Sequence, residues 1–326
     1  MQFRAPLVAD GYAAKTAGDA LLVYLPGFDG ANLAPFLQWP ALHDAGFDVR
    51  CASIDADDRS TFDELVTAAS SYIDREACDR PCLLVGESFG GALATMVAQR
   101  AVSVEGVVLV SPAPCYAESA LASKAPPILD LPARAYYVGL ASLLPLFVDR
   151  HGVRALFDIV TNKCLPGVIE TPRQEAYMGR VALSLPERIA RMPRGTLAWR
   201  LREWLDVGAL AQPTLVVFGD EDNTLPSERE AARVVALLTK ARAVRVPGAG
   251  HAATLGSRVD LRAEVAAFFG AEPGFSFLAG APRKMRADAS QDGEASSLYG
   301  LYPRTHAPVA VFDYFNAEND ARVGVR

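Results

Sequence analysis

Short apolar runs alternate with segments of helical periodicity along the first 110 residues. Apolar or period-two patterns predict strands at residues 21–25, 47–54, 82–85 and 107–110. Helices are predicted between them, at residues 33–45, 62–75 and 90–100. The second helix has apolar residues spaced by three and four, and Thr61 is placed to cap it. Short apolar strands that alternate with helices indicate an α/β fold with a parallel sheet covered on both faces.

The alternation pauses after the fourth of these strands and resumes near residue 214. Residues 115–210 are punctuated by proline, read as helical and contain no clear β-branched run. Two more strand–helix pairs are then predicted, at residues 214–218, 227–240, 243–246 and 257–269. We therefore expect residues 1–114 and 211–270 to form the core and residues 115–210 to form a helical cap. The cap would lie over the carboxyl edge of the sheet, where open α/β sheets bind ligands.

Composition places the chain among globular proteins. Of its 326 residues, 51% are hydrophobic and 21% are charged, which excludes a wholly disordered chain. Residues 271–326 differ, because they include the polar and aperiodic stretch 283–297, and they are expected to form a partly disordered tail. The net charge of −6 provides no global basic field, so no nucleic-acid partner is expected.

Membrane-spanning and metal-binding classes are also disfavoured. The longest apolar stretches are roughly ten residues, and a bilayer span needs about 20. No targeting peptide is recognisable at the N-terminus, so the residues alone favour the cytoplasm or a mature or truncated form. Five cysteines without metal-type spacing predict reduced thiols. No dinucleotide or phosphate-binding loop occurs, and no cofactor or metal is predicted. The oligomeric state is not specified by these patterns.

Residues 86–90 (GESFG) fit the G-x-S-x-G pattern of a nucleophile elbow. An apolar strand leads directly into the pattern and a helix-forming segment leads out of it. The sharp turn would raise the hydroxyl of Ser88 above the sheet and aim the backbone N–H of Phe89 at a developing oxyanion. The flanking glycines would be needed because the turn brings backbones too close for a Cβ. The alternative is a glycine-rich helix start with a capping serine.

A serine hydroxyl needs a base, and the chain has only four histidines. His43 precedes Ser88, His151 falls in the predicted cap, and His306 falls in the tail. His251 follows the last predicted strand at the carboxyl edge, which is where the order Ser…Asp…His requires the base. The alternative for His251 is an ordinary surface-loop histidine.

The acid is expected in the loop after the preceding strand. Residues 219–226 offer three carboxylates, Asp220, Glu221 and Asp222. Asp222 is favoured because it lies three residues past the glycine that ends the strand and four before the next proline. Asp220 remains the alternative. The acid would hold the tautomer of His251 and stabilise the imidazolium without taking the proton.

A second oxyanion donor is expected after the first core strand. Residues 26–30 (PGFDG) lie where α/β-hydrolases place this loop. The backbone N–H of Phe28 is the candidate donor beside that of Phe89. The alternative is a plain glycine turn.

Six segments, taken in order, resemble the α/β-hydrolase half of the plant phytyl ester synthase-like proteins, also called the esterase/lipase/thioesterase family. They are YLPGFDG at 24–30, FDVRC at 47–51, DRSTFDEL at 58–65, VGESFGG at 85–91, SPA at 111–113 and DNTLPS at 222–227. The similarity covers about residues 20–270. It implies an α/β-hydrolase fold, a mostly parallel sheet flanked by helices with a helical cap insertion. It also supports Ser88 as nucleophile, Asp222 as acid, His251 as base, and Phe28 and Phe89 as oxyanion donors.

The resemblance also implies an activity. Members of this family move fatty acyl groups in plastids from galactolipid, acyl-CoA or acyl-carrier donors to phytol or diacylglycerol. The expected function is thus a serine hydrolase or acyltransferase for fatty acyl esters, with the acyl group passed to water or a lipid alcohol. Members usually continue into a C-terminal acyltransferase-like domain that this chain does not contain, which favours simple hydrolysis.

Two alternatives stay open. One is hydrolysis of phytyl esters or monoacylglycerols. A weaker one is a non-catalytic binding protein of the same fold, disfavoured because every triad position is filled. A lipid substrate makes peripheral membrane contact plausible.

Overall fold

The computed structural model describes most of the predicted core and part of the predicted cap. The described residues are 1–7, 12, 19–30, 34–113, 118–147, 192, 194–202, 210–255 and 259–279. Within them, seven strands form a single sheet in the order β1-β3-β2-β4-β5-β6-β7. The strands are β1 Gln2–Arg4, β2 Ala20–Leu25, β3 Phe47–Ser53, β4 Cys82–Glu87, β5 Val104–Val110, β6 Thr214–Gly219 and β7 Ala241–Val246.

The predicted parallel sheet is confirmed, with one added edge strand. β1 pairs antiparallel with β3, whereas the other neighbours all pair parallel. Sequence patterns do not predict β1, because three residues carry no measurable periodicity. The carboxyl ends of β2 to β7 therefore all lie at the same edge of the sheet.

Helices cover both faces of the sheet. They are α1 Trp39–Asp44, α2 Phe62–Ala77, α3 Phe89–Arg100, α4 Ala120–Lys124, α5 Pro126–Leu129, α6 Ala133–Ala141, α7 Leu144–Phe147, α8 Arg194–Arg202, α9 Ser227–Leu237 and α10 Leu261–Phe269. The predicted N-cap residue of α2, Thr61, is confirmed. The Thr61 hydroxyl accepts a hydrogen bond from the Glu64 N–H, and the Glu64 carboxylate accepts one from the Thr61 N–H. α10 begins later than predicted, because the Asp260 side chain caps it by accepting the Ala263 N–H.

Alternate residues of the inner strands β2 to β6 contribute to two apolar clusters. In β2, Leu22 and Tyr24 join the cluster beneath α1 and α10. Leu21, Val23 and Leu25 join the cluster beneath α2, α3 and α9. Both faces of the sheet are thus buried at β2, β4 and β6, which is why these strands read as largely apolar runs rather than alternating ones.

A third apolar cluster joins described residues of the predicted cap to the core. It contains Phe28 from the loop after β2, together with Leu121, Ile128, Tyr136 and Leu197 from α4, α5, α6 and α8. Residues 148–191 and 203–209, which include His151 and Cys164, lie outside the described residues, as does Cys115. The limits of the cap at 115–210 therefore stay a prediction.

Core packing continues past residue 270, where the tail is predicted to begin. A 3-10 helix at Pro273–Leu278 buries Phe275 and Leu278 in the cluster beneath α1 and α10. Its apolar residues are too few to show a helical period. Residues 280–326 lie outside the described residues.

Two further expectations from the sequence concern the cysteines and membrane-spanning helices. The described cysteines, Cys51, Cys78 and Cys82, are free thiols. Among the helices that the structure describes, none is long and apolar enough to cross a bilayer.

Candidate active site

The strand order reverses between β2 and β4, because β3 lies on one side of β2 and β4 on the other. A crevice opens at such a switch point, outside the carboxyl ends of the strands. Here it brings the loop after β2 beside the residue after β4. A Cβ built on Gly27 would lie 3.7 Å from the Cβ of Ser88, so loop and serine are in direct proximity.

Ser88 occupies the sharp turn between β4 and α3. Its φ of +52° and ψ of −116° are unusual for a residue with a side chain, and such a conformation costs about 1–3 kcal/mol. The turn is fixed by the Ser88 N–H, which donates to the Val110 carbonyl at 2.9 Å, and by the Gly91 N–H, which donates to the Ser88 carbonyl at 2.9 Å. The Ser88 side chain makes no capping hydrogen bond to α3. The geometry is therefore that of the predicted elbow and not that of a capping serine.

The glycines on either side of Ser88 are required by close backbone approach, as predicted. A Cβ on Gly86 would lie 2.2 Å from the Gly90 carbonyl oxygen. A Cβ on Gly90 would lie 2.2 Å from the Leu25 carbonyl oxygen and 2.5 Å from that of Pro26. No real Cβ tolerates such distances, so the elbow needs both glycines.

His251 lies within hydrogen-bond distance of both predicted partners. Its Nε2 is 2.9 Å from the Ser88 Oγ, and its Nδ1 is 2.8 Å from the Asp222 Oδ2. The imidazole is buried, with 4% of the side chain exposed. His43, by contrast, lies in α1 beside Asp44. His151 and His306 are outside the described residues.

Asp222 is held by a cradle of donors in the loop after β6. Its Oδ1 accepts the N–H groups of Thr224 at 2.7 Å and Leu225 at 3.1 Å, and its Oδ2 accepts the Ser227 hydroxyl. Asp220, the alternative acid, instead accepts the Gly248 N–H at 2.6 Å. It also pairs with Arg245. Asp220 therefore braces the turn after β7, and Glu221 is exposed to solvent.

The Asp222–His251 pair shifts the pKa of both groups. Burial acts to raise the pKa of Asp222, but the charge and hydrogen bond of His251, with the donors from Ser227 and Thr224, hold it below its ordinary value. Burial acts to lower the pKa of His251, but the charge and hydrogen bond of Asp222, and the charge of Glu87, raise it above its ordinary value. Asp222 is thus ionised at neutral pH and favours a positive imidazole.

The two predicted oxyanion donors belong to the residue after Ser88 and to the neighbouring loop after β2. Phe89 is the first residue of α3, so its N–H belongs to the positive end of that helix. Phe28 lies in a turn closed by the Gly30 N–H, which donates to the Gly27 carbonyl at 3.0 Å. No peptide bond among the described residues is cis. The Phe28 N–H therefore points opposite to that carbonyl.

Glu87 is a further residue beside the candidate site, and the sequence patterns do not single it out. It ends β4 directly before Ser88, is buried, and accepts the Tyr24 hydroxyl at 2.6 Å. Burial raises the pKa of Glu87 to about 7, although the Tyr24 hydrogen bond and the charge of His251 act to lower it. A carboxylate at the variable position of G-x-S-x-G, after an otherwise apolar strand, is the signal that would have found it.

Two plant proteins are similar in sequence to this chain. It is 30% identical over 253 residues to phytyl ester synthase 1, chloroplastic, of Arabidopsis thaliana, covering 74% of this chain and 35% of that protein. It is 26% identical over 276 residues to phytyl ester synthase 2, chloroplastic, of the same plant, covering 76% and 37%. The resemblance inferred from the motifs is confirmed, and the chain spans about a third of the length of these relatives.

The fold is shared with solved esterases. A crystal structure of an esterase from Rhodococcus sp. ECU1013 superposes with a TM-score of 0.55 at 18% identity, covering 79% of this chain and 93% of that one. Residues 5–268, which include every strand from β2 to β7, match the model of the alpha/beta hydrolase family. The chain therefore belongs to the alpha/beta hydrolase family.

Proposed function

We propose that this protein is a serine hydrolase or acyltransferase that acts on fatty acyl esters through a covalent acyl-enzyme. The observation that carries the proposal is the hydrogen-bonded series Ser88–His251–Asp222 at the carboxyl edge of the sheet. In the first half-reaction, the Ser88 Oγ attacks the acyl carbonyl carbon while the His251 Nε2 takes the hydroxyl proton. Asp222 keeps the second proton on Nδ1 and stabilises the imidazolium.

The carbonyl oxygen becomes an oxyanion as the new C–O bond forms. The N–H groups of Phe28 and Phe89 would donate hydrogen bonds to this oxyanion in a site that excludes water. The intermediate then collapses, the bond to the leaving alcohol or thiol breaks, and His251 returns the proton to that group. In the second half-reaction, His251 deprotonates water or a lipid alcohol, which attacks the acyl carbon; the bond from that carbon to the Ser88 Oγ then breaks, and His251 returns the proton to the Oγ.

The described cap residues favour an apolar acyl chain. Leu121, Ile128, Tyr136 and Leu197 converge on Phe28, whose backbone we place in the oxyanion hole. Apolar walls with a few polar groups are typical of pockets for apolar ligands. The relatives' names add phytol as an acceptor and the plastid as the location, and we propose both for this chain.

Hydrolysis and acyl transfer are separated by their products. Purified protein would be incubated with a long-chain acyl ester, with and without phytol, and free fatty acid and phytyl ester would be quantified against the Ser88→Ala variant. Phytyl ester above that blank would assign acyl transfer to this chain. Fatty acid alone would assign hydrolysis, and neither product from a folded protein would refute the proposed function.

The pH dependence of turnover should report the pKa of His251 and the effect of the Glu87 charge on it. His251 acts as a base only when neutral, so kcat/KM should fall as pH drops through its raised pKa, and the midpoint should lie above 6.5. Glu87→Gln removes a negative charge that raises this pKa, so the midpoint should move to lower pH. Tyr24→Phe should move it in the same direction by less, because Glu87 then stays protonated to higher pH.

The measurement is a pH profile with a fluorogenic acyl ester at matched ionic strength. Glu221→Gln is the control, since it makes the same carboxylate-to-amide replacement at an exposed position in the loop after β6. An unchanged or rising midpoint in Glu87→Gln would show that Glu87 does not act on His251.

A further inference from the structure

Arg200, in the cap helix α8, is a buried cation bound to backbone carbonyls. Only 2% of the residue is exposed, and no ion pair with a carboxylate is found for it among the described residues. Its Nη1 donates to the Phe28 carbonyl at 2.5 Å, and its Nη2 donates to the Ile54 carbonyl at 3.1 Å. Burial lowers the pKa of the Arg200 guanidinium, and the charges of Asp29 and Asp58 act to raise it without forming an ion pair with it. We therefore expect the hydrogen bonds that Arg200 donates to these carbonyls to have a specific role.

What Arg200 holds is the turn beside Ser88. Two peptide planes flank Phe28. The plane before it contains the Gly27 carbonyl and the Phe28 N–H, and the turn's own hydrogen bond from the Gly30 N–H fixes it. The plane after it contains the Phe28 carbonyl, which Arg200 fixes. With both planes held, the φ and ψ of Phe28 are fixed, and Arg200 ties the turn that carries the Phe28 N–H to the Ile54 carbonyl.

Gly30 makes room for this contact. A Cβ on Gly30 would lie 2.5 Å from the Arg200 Nη2 and 3.0 Å from its Nη1, so the guanidinium occupies the place of a side chain. The φ of Gly30 is +72°, which glycine adopts readily. The Gly30 carbonyl in turn accepts the Ile54 N–H at 2.9 Å. Arg200 therefore binds both segments that meet at Gly30.

We propose that Arg200 is a positioning residue that aims the Phe28 N–H at the oxyanion from the cap. This rests on the proposed function, because the Phe28 N–H has a role only if an oxyanion forms on Ser88. The contribution should be made in the transition state and not in ground-state binding. It should therefore appear in kcat and in the affinity for a tetrahedral adduct, and leave KM nearly unchanged.

The test compares Arg200→Met, which keeps an unbranched apolar stem without donors, with Thr196→Val. Thr196 is one turn earlier on α8 and donates to the Ala56 carbonyl, so its replacement loosens α8 from the core without touching the turn of Phe28. Steady-state kinetics, the inhibition constant of a trifluoromethyl ketone, the rate of Ser88 labelling by a fluorophosphonate and the melting temperature would be measured. Assays would be run well below the lowest melting temperature.

For Arg200→Met, we expect kcat to fall about tenfold or more. Complete loss of an oxyanion donor lowers kcat by a factor of about 10²–10³, and a donor that is only misdirected lowers it by less. Ketone affinity should fall by the same factor, with KM within about twofold. Thr196→Val should change none of these by more than about twofold. If Arg200→Met does not fold, Arg200→Lys replaces it, because one ammonium cannot span both carbonyls as the fork does. A fall of about threefold in kcat and in ketone affinity is then expected.

Unchanged kcat and ketone affinity in a folded Arg200 variant would overturn the inference, as would equal losses in Thr196→Val. Failure of the proposed function looks different. In that case the wild-type protein itself neither turns over acyl esters nor labels at Ser88. If the wild-type protein labels at Ser88 and turns over acyl esters, and Arg200→Met has the same kcat and ketone affinity, only the positioning role is overturned.

Discussion

Ser88→Ala is expected to lower acyl-ester turnover by about 10⁴-fold or more and to abolish labelling by a fluorophosphonate. The alanine keeps the Cβ in the elbow and loses only the hydroxyl that lies 2.9 Å from the His251 Nε2. No covalent acyl-enzyme can then form. Because one buried hydrogen bond is at stake, the free energy of unfolding should change by about 1 kcal/mol or less.

Turnover would be measured with a fluorogenic long-chain ester, and folding by chemical denaturation. Ser70→Ala is the matched control, because Ser70 is also buried and its hydroxyl has no partner within the described part of the chain. That variant should keep wild-type turnover. Substantial turnover by Ser88→Ala would rule out the acyl-enzyme mechanism.

Gly90→Ala is expected to damage both the fold and the site. Its Cβ would meet the Leu25 and Pro26 carbonyl oxygens at 2.2 and 2.5 Å, so the start of α3 and the end of β2 must separate. These atoms are backbone on both sides, and no side chain can turn aside to relieve the clash. We expect the free energy of unfolding to fall by about 3 kcal/mol or more, with loss of Ser88 labelling in whatever protein folds.

Gly195→Ala provides the comparison. Gly195 lies in α8, and among the described residues a Cβ there would meet only the Arg59 Nη2, at an ordinary 3.5 Å. Alanine is the better helix former, so this variant should gain about 0.5–1 kcal/mol and keep its labelling rate. Denaturation curves of the two variants side by side check both expectations. A Gly90→Ala protein as stable as wild type would mean that the two segments can move apart freely.

Local patterns predict the fold because the inner strands β2 to β6 are mostly buried, and each is long enough to stand out from its flanks. β1 and the 3-10 helix that buries Phe275 escape prediction since their residues gain their burial from distant parts of the chain. Phe275, for example, packs against Phe47 and Phe269. Three or six residues cannot show a period, and only the folded chain shows what they contact.

The candidate triad is predictable for a different reason. Ser88 lies in a motif that directly follows a predicted strand and directly precedes a predicted helix, and His251 is one of only four histidines. Arg200 is not predictable, since arginine on a helix normally points to solvent and its partners are carbonyls, which leave no mark in the sequence. Glu87 is intermediate, because its position is visible in the motif but its Tyr24 partner is 63 residues away.

The contact of Arg200 with the Phe28 carbonyl bears on how such enzymes can diversify. An insertion that only lined a pocket could be exchanged among relatives to change substrate preference, with the chemistry left intact. Here a side chain of the predicted cap also contacts the turn beside Ser88, so under the proposed role of Arg200 substrate preference and rate would depend on one segment of chain. A chimera that receives a foreign insertion between β5 and β6 should therefore lose rate as well as change preference. An arginine restored at the place of Arg200 should return the rate while leaving the new preference in place.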